Sequence, residues 1–192
     1  MTGDDTLHHR PTPKRPSLGW YAWQATVGYI SHEYSPDAVL TVTAYPVEDD
    51  TVGWTASLFW GDKSETVHDE ESFGAALRSL WFKIEARHKI FRTLEAAVKR
   101  PANYDEGEWL EPATQAALDR VLQAAAAAFA AGWRIAITYQ PVDNPDERVQ
   151  AGLYSQDGTL QIEGSGPTLR DACQTLFRSA AGYFANSTRH TE

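Results

Sequence analysis

The densest cluster of titratable side chains in the chain is the run His68-Asp69-Glu70-Glu71. A metal site needs three or four ligands that converge on one point. Consecutive residues of an extended segment point alternately to opposite sides, so this run does not converge on an ion. The acids directly precede Ser72, a candidate N-cap, where negative charge stabilises the positive end of a helix. The run therefore predicts a helix start, and no metal or cofactor is expected.

The other candidates for catalysis are each incomplete. Cys173 is the one cysteine of the chain, which excludes an intramolecular disulfide and a zinc site built on cysteines. His32-Glu33 lacks the second histidine of a metalloprotease helix, and no Gly-x-Ser-x-Gly nucleophile elbow occurs. Gly164-Ser165-Gly166 precedes a helix start but lacks the lysine of a phosphate-binding loop. Without a convergent catalytic set, the sequence predicts a protein that is not an enzyme.

Charge is distributed unevenly along the chain. The formal net charge is −9, yet residues 73–100 hold seven basic residues and two acidic ones, while residues 62–71 and 103–111 are strongly acidic. An amphipathic helix with a solvated polar face accounts for this pattern. The alternative is a basic ridge that binds an acidic partner or nucleic acid. The contact residues of such a ridge would be Arg78, Arg92, Lys99 and Arg100.

Aromatic side chains are a second candidate for a binding surface. The chain has seven Trp and eight Tyr, and these two residue types dominate binding hot spots. Trp54 and Trp60 share the strand parity of Ala56 and Leu58, so we predict that they are buried. Trp109 lies in an acidic segment and is our first choice for an exposed contact.

An internal repeat organises the elements that would position these residues. At an offset of 95, residues 39–50 overlay 134–145, with Thr, Pro and Val identical at three aligned positions. At an offset of 96, residues 72–83 overlay 168–179, and the candidate caps Ser72 and Thr168 coincide. A single insertion in the loop before the helix is expected to account for the change of offset.

Each unit is predicted to run helix–strand–strand–strand–helix. Alternating apolar positions and turn residues predict strands at 38–47, 52–60 and 64–68, and again at 133–142, 147–155 and 159–163. Apolar residues spaced by three and four predict helices at 20–31, 73–99, 113–131 and 169–184, although 20–31 is also compatible with a strand. The fold class is therefore α+β: a tandem repeat of two α-β-β-β-α units, with antiparallel sheets packed against helices. The two sheets join into one six-stranded sheet or pack face to face as a pseudo-dimer.

These elements divide the chain into five segments. We predict a disordered N-terminal segment, a first α/β unit with a long basic helix, an acidic linker, a second α/β unit and a flexible tail. In that order, the segments are 1–17, 18–99, 100–112, 113–185 and 186–192.

The α-β-β-β-α order resembles that of a double-stranded-RNA-binding domain. The local match is Gly164-Ser165-Gly166-Pro167-Thr168-Leu169-Arg170-Asp171-Ala172, which is similar to that family's glycine-containing loop before its second helix. The family grips phosphate with a lysine cluster at this helix start, where the present chain has only Arg170. The unit also looks like a HicB-type antitoxin domain. Both resemblances imply a fold and leave the function open.

Composition sets the class of function that we expect. A chain of 192 residues that is 42% hydrophobic and 22% charged is typical of one large or two small globular domains. No apolar run is long enough to span a bilayer, and the first residues lack the apolar core of a secretory signal, so we expect a cytoplasmic protein without a membrane partner.

We therefore expect a non-enzymatic protein-binding or assembly protein on a duplicated α+β scaffold, whose partner is another protein or itself, as an oligomer. The first alternative is a nucleic-acid-associated protein that uses the basic helix 73–100. A further alternative is a protein that binds a small ligand between the two units.

Overall fold

A computed structural model of the chain describes residues 18–47, 51–87, 110–128 and 132–187. In the first part, helix α1 (Leu18–Glu33) is followed by strands β1 (Val39–Pro46), β2 (Val52–Trp60) and β3 (Lys63–Glu70) and by helix α2 (Phe73–Arg87). In the second part, helix α3 (Pro112–Ala128) is followed by β4 (Trp133–Tyr139), a 3-10 turn (Pro145–Glu147), β5 (Val149–Ser155), β6 (Gln161–Gly166) and helix α4 (Leu169–Ser187). The described residues form an α+β fold, as predicted.

The six strands form one antiparallel sheet in the order β3-β2-β1-β4-β5-β6. The first strand of each part lies at the centre, and β1 pairs with β4 so that Val42 lies opposite Ile137. Of the two arrangements left open by the sequence, the chain adopts the joined sheet. Residues 20–31, for which a strand was the alternative, lie within helix α1.

One face of the sheet is covered by the helices and holds the core. In β1 the side chains of Leu40, Val42 and Ala44 are fully buried, while the alternate residues are half-buried. This alternation arises because successive strand residues point to opposite faces. The buried residues of both parts belong to a single hydrophobic cluster, which includes Trp54 and Trp60 as predicted.

Aromatic side chains anchor α1 to both parts of the molecule. The Trp20 ring lies 5.7 Å from Phe73 at the start of α2 and 6.2 Å from Tyr139 at the end of β4, measured between ring centroids. The rings of Trp23 and Trp81 meet edge to face at 5.3 Å. Such pairs stabilise packing beyond the area that they bury, so α1 ties the two parts together.

The predicted helix caps are present. The Ser72 hydroxyl accepts a hydrogen bond from the Ala75 amide at 3.1 Å, and the Thr168 hydroxyl accepts one from the Asp171 amide at 3.2 Å. Each cap satisfies an amide that has no partner within its own helix. Beyond Arg87, the predicted basic helix lies outside the described residues, whereas α4 continues to Ser187, two residues past the predicted end of the second unit.

The prediction that a single insertion before the helix changes the offset is wrong, because two turns differ in length and one strand contains a bulge. The turn between β2 and β3 has two residues, 61–62, whereas the turn between β5 and β6 has four, 156–159. The longer turn adds two residues to the second part, and a one-residue bulge in β3 opposite Thr55 adds one to the first. Together these changes move the offset from 95 in the first strands to 96 in the closing helices.

The registers show which residues of β3 and β6 lie opposite the core-facing residues of β2 and β5. The sequence offset of 95 would align Val67 with Ile162, but Leu58 in β2 pairs with Glu65, and Leu153 in β5 pairs with Ile162. Glu65 and Ile162 are both 7% exposed, so a carboxylate occupies a core-facing position in the first part.

The sequence predicts that Gly164-Ser165-Gly166 lies in a loop before the helix. In the structure these residues lie within strand β6. Gly164 and Gly166 face α4, and a methyl group on Gly164 would lie 2.7 Å from the Leu176 Cα and 2.8 Å from the Ala172 carbonyl oxygen. The glycines therefore allow the backbone of α4 to pack directly on β6.

The Cys173 thiol is expected to be inert in the folded protein. Its side chain is buried in α4, and burial raises the pKa of the thiol to about 12 because the thiolate is not solvated there. At pH 8 a disulfide reagent such as DTNB should react only as fast as the protein unfolds, and rapidly in denaturant. Rapid stoichiometric reaction of the native protein would contradict this burial.

Among the described residues, no helix is long and apolar enough to cross a membrane.

Candidate protein-binding surface

Only one of the predicted contact residues lies in the described part of the chain. Arg78 is half-buried on α2, whereas Trp109, Arg92, Lys99 and Arg100 lie outside the described residues. Leu110, the neighbour of Trp109, is buried in the core.

Two other basic residues of α2 are held by a buried carboxylate. Lys83 Nζ lies 3.6 Å and Arg87 Nη1 3.1 Å from Glu65 Oε2, and the Glu65 side chain is only 8% exposed. Their charges neutralise an acid that would otherwise be costly to bury. In the described part of α2, these two side chains therefore serve the fold.

No helix of the described residues covers the second face of the sheet, which we call the open face. Across all six strands, one row of side chains on this face is formed by successive cross-strand partners: Thr66, Ser57, Thr41, Thr138, Gln150 and Ser165. The next row is Thr55, Thr43, Ala136, Gly152 and Glu163. At the usual strand spacing, six strands span about 24 Å.

These two rows contain one charged residue, Glu163, in a chain that is 22% charged. Solvated strands commonly carry long charged side chains, which hold other surfaces away. The short side chains of threonine, serine and alanine, and the absence of one in glycine, instead leave the sheet flat and accessible to close contact. The composition of the open face therefore favours a surface that another molecule covers.

Aromatic side chains lie at the margins of the open face. The Tyr45 ring lies against Gly53 of the neighbouring strand, and the Tyr154 ring lies over Gly152. The Arg134 guanidinium carbon is 5.0 Å from the centroid of the Tyr154 ring, a cation–π contact. Phe59 is 45% exposed at the other end of the face. Tyrosine is one of the residue types enriched at binding hot spots, so Tyr45 and Tyr154 are the strongest candidate contacts on this face.

A shallow groove crosses the open face in the second part of the chain. Its volume is about 330 Å³, at the lower end of the range for ligand sites. Its principal polar lining residues are Thr138, Glu147, Gln150, Glu163 and Ser165. Two carboxylates in this lining make the groove more suitable for a cationic group than for an anion. The groove lies over β4, β5 and β6 and is also lined by Thr175 of α4, and none of its lining residues belongs to the first part.

The predicted titratable run forms a small network at the bulge of β3. Tyr45 donates a hydrogen bond to Asp69 Oδ1 at 2.8 Å, and Thr55 Oγ1 lies 3.4 Å from His68 Nδ1. A catalytic triad needs the acid to orient the histidine, but here the acid binds the tyrosine. Among the described residues, no group of three or more His, Cys, Asp or Glu is placed to hold a metal ion. The network therefore anchors the bulge.

Asp69 is the one non-glycine residue in the described ranges with positive φ, at +58°. We expect Asp69→Gly to be more stable than Asp69→Ala by about 1 kcal/mol, because both lose the Tyr45 hydrogen bond but only alanine keeps the left-handed strain. Urea unfolding of the two variants measures this difference. An alanine variant as stable as the glycine variant would contradict the backbone conformation of the bulge.

The two edge strands of the sheet differ in how they are covered. On β3, Lys83 Nζ donates to the Thr66 carbonyl oxygen at 2.6 Å, beside the Glu65 ion pairs and the bulge. On β6, the pairing with β5 is continuous from Gln161 to Gly166, and the strand contains no Lys, Arg or Pro. Basic side chains and bulges are common protections of an edge, so within the described ranges β3 has both and β6 has neither.

Comparisons with protein-family models, with curated proteins and with solved structures found no match to this chain. The resemblances to double-stranded-RNA-binding and HicB-type domains therefore stay predictions.

The open face was not predicted because most of its residues belong to common, uncharged types. The signal was in the strands themselves. The positions that alternate with the apolar ones are Thr41, Thr43, Ala136 and Thr138, all short and uncharged. This pattern indicates a continuous surface only once β1 and β4 are known to pair at the centre of one sheet.

Proposed function

We propose that this chain is a non-enzymatic protein-binding or assembly protein that binds its partner through the open face of the sheet. The observation that carries the proposal is the pair of cross-strand rows with a single charged residue, flanked by Tyr45, Phe59 and Tyr154. Buried interface cores are poor in charge and rich in aromatic residues. The partner is another protein or a second copy of the chain, and the proposed setting is the cytoplasm.

We further propose that the two three-stranded parts arose by duplication. Leu40 pairs with Leu58 in the first part and Ile135 with Leu153 in the second, and both pairs are related by the sequence offset of 95. Val42 and Ile137, related by the same offset, lie opposite each other in the central pair. These registers support an approximate two-fold axis between Val42 and Ile137, with similar half-surfaces on either side.

Two observations weigh against the alternative functions. The nucleic-acid hypothesis depends on basic residues of the helix 73–100, and in its described part Lys83 and Arg87 bind Glu65. Catalysis through the bulge network lacks support because Asp69 binds Tyr45 and does not orient His68. Protein binding requires neither a free basic ridge nor a relay of catalytic groups.

Affinity capture from extract of the native host tests this function. The bait is the full chain, and the test variant is Thr43→Arg with Thr138→Arg, which places two long cations at the centre of the open face. Ser179→Arg, on the exposed side of α4, is the matched control. We expect a protein that is retained by wild type and control and lost with the double variant, provided that melting shows all three folded.

Two results would overturn the proposal. One is recovery of nucleic acid without any protein. The other is undiminished capture of the same protein by the double variant, which would place the contact elsewhere. Light scattering of the purified chain separates a second copy from a different partner, because only self-association raises the mass of the chain alone.

A further inference from the structure

The backbone groups that point away from the sheet can be assigned on both edge strands. In two antiparallel strands, the pairs of residues that lie opposite each other alternate between hydrogen-bonded and non-hydrogen-bonded pairs. The Ser155 amide donates to the Leu160 carbonyl at 3.1 Å, which makes that pair hydrogen-bonded. Along β6, the backbone groups of Ile162, Gly164 and Gly166 therefore face β5. Those of Gln161, Glu163 and Ser165 point outward.

The same alternation applies to β3, but there an outward backbone group is occupied by a side chain of α2. Trp60 and Lys63 close a two-residue turn, so the backbone groups of Ser64 and Thr66 point outward. The outward carbonyl of Thr66 accepts a hydrogen bond from Lys83 at 2.6 Å, and the bulge at Asp69 interrupts the strand beyond it. An added strand would have to displace Lys83 and match an irregular register, so this edge is closed.

We propose that β6 is the acceptor edge for an extended, basic segment of a partner protein, which adds as a seventh strand. This inference rests on the proposed protein-binding function and names the form that the partner takes there. Main-chain hydrogen bonds to Gln161, Glu163 and Ser165 supply affinity in this mode, and side-chain positions supply specificity.

Charge determines the chemistry of the partner. Glu163 projects onto the open face from the middle of β6, and with Glu147 it lines the groove of about 330 Å³ beside this edge. A Lys or Arg side chain on the added strand would lie opposite Glu163, and opposite charges at cross-strand positions stabilise a sheet. Pairing with a second β6 centred on the same strand would place Glu163 against its own copy, which is unfavourable. The edge therefore suits a different, basic partner.

Blocked hexapeptides test this proposal without knowledge of the natural partner. The probe alternates arginine and valine, a second peptide alternates glutamate and valine, and a third is the arginine peptide methylated on alternate amide nitrogens. Each is titrated into the full chain and followed by amide NMR shifts and hydrogen exchange. We expect saturable shifts and slowed exchange at Glu163 and Ser165 with the arginine peptide, and binding at least about fivefold weaker with the other two.

A pair of proline variants supplies the matched control. Ser165→Pro removes an outward amide of β6, and Ser64→Pro removes the corresponding outward amide of β3, so neither breaks an existing pair of the ladder. We expect Ser165→Pro to weaken binding of the arginine peptide by about fivefold and Ser64→Pro to leave it unchanged. Glu163→Lys, which leaves the backbone intact, should reverse the preference between the arginine and glutamate peptides if Ser165→Pro fails to fold.

The outcomes separate this inference from the proposed function. Shifts at Ser64 and Thr66, equal binding of both charged peptides, or absence of binding would each overturn the strand-addition site. If the natural partner is lost with Thr43→Arg and Thr138→Arg but still binds Ser165→Pro with unchanged affinity, the open face remains the binding surface and the β6 edge is not its acceptor. Loss with both sets of variants supports both proposals.

Discussion

Replacing Gly164 with alanine is expected to destabilise the protein by about 3 kcal/mol. The added Cβ would lie too close to the Leu176 amide nitrogen, 2.7 Å from the Leu176 Cα and 2.8 Å from the Ala172 carbonyl oxygen. All three atoms belong to the backbone of α4, which cannot move aside as a flexible side chain does. The whole helix must retreat from β6, so contacts along its buried face are lost as well.

Gly182, in the same helix, is the matched control for this substitution. A Cβ at Gly182 would meet nothing within 4 Å. Gly182→Ala should therefore stabilise the protein by about 0.5–1 kcal/mol, because alanine has the higher helix propensity. Urea unfolding followed by circular dichroism measures both changes. If Gly164→Ala shifts the midpoint no more than Gly182→Ala, the close packing of α4 on β6 is wrong.

The second large effect is expected when Glu65 loses its two basic partners. In Lys83→Met with Arg87→Met, the carboxylate stays in a position where its side chain is 8% exposed but has lost both neutralising charges. Breaking a buried ion pair by removing one side of it costs about 3–5 kcal/mol. The double variant should therefore unfold at a much lower urea concentration than wild type.

Removing the acid as well should restore most of this loss. Glu65→Leu in the same background places an apolar side chain where the second part of the chain has Ile162. Replacing a buried ion pair with apolar residues of similar size is often neutral or stabilising. Glu65→Leu alone should cost little, because the Lys83 and Arg87 side chains are 32% and 60% exposed and stay solvated. Failure of the triple variant to recover would show that the basic residues act through contacts other than Glu65.

Local physical rules account for the elements that the sequence predicted well. Alternating apolar side chains located the strands because burial on one face of a sheet requires a period of two. Hydroxyl residues located the starts of α2 and α4 because Ser72 and Thr168 satisfy amides that the helix leaves free. In α1, Trp20, Trp23, Val27 and Ile30 are buried together because helical spacing of three and four places them on one side.

The errors concern features that depend on distant residues. Glu65 appears exposed in the sequence because charged residues usually are, and only its pairing opposite Leu58 and its contacts with α2 explain its burial. The offset change appears to be one insertion because a longer turn and a bulge partly cancel in residue count. Gly164 appears to belong to a loop because the direct packing of α4 on β6 is invisible in local sequence.

The sequence by itself determined the strands, the helix caps and the α+β class, because each follows from side-chain chemistry within a few residues, and its single cysteine excluded an intramolecular disulfide. Tertiary structure decided that the two sets of strands join through β1 and β4, that Lys83 and Arg87 serve a buried acid, and that no helix of the described residues covers the second face of the sheet. It also decided the difference between the two edges, since Lys83 covers β3. Such outcomes depend on which surfaces meet in space, and long-range pairing is selected by the burial and charge neutralisation of the whole chain.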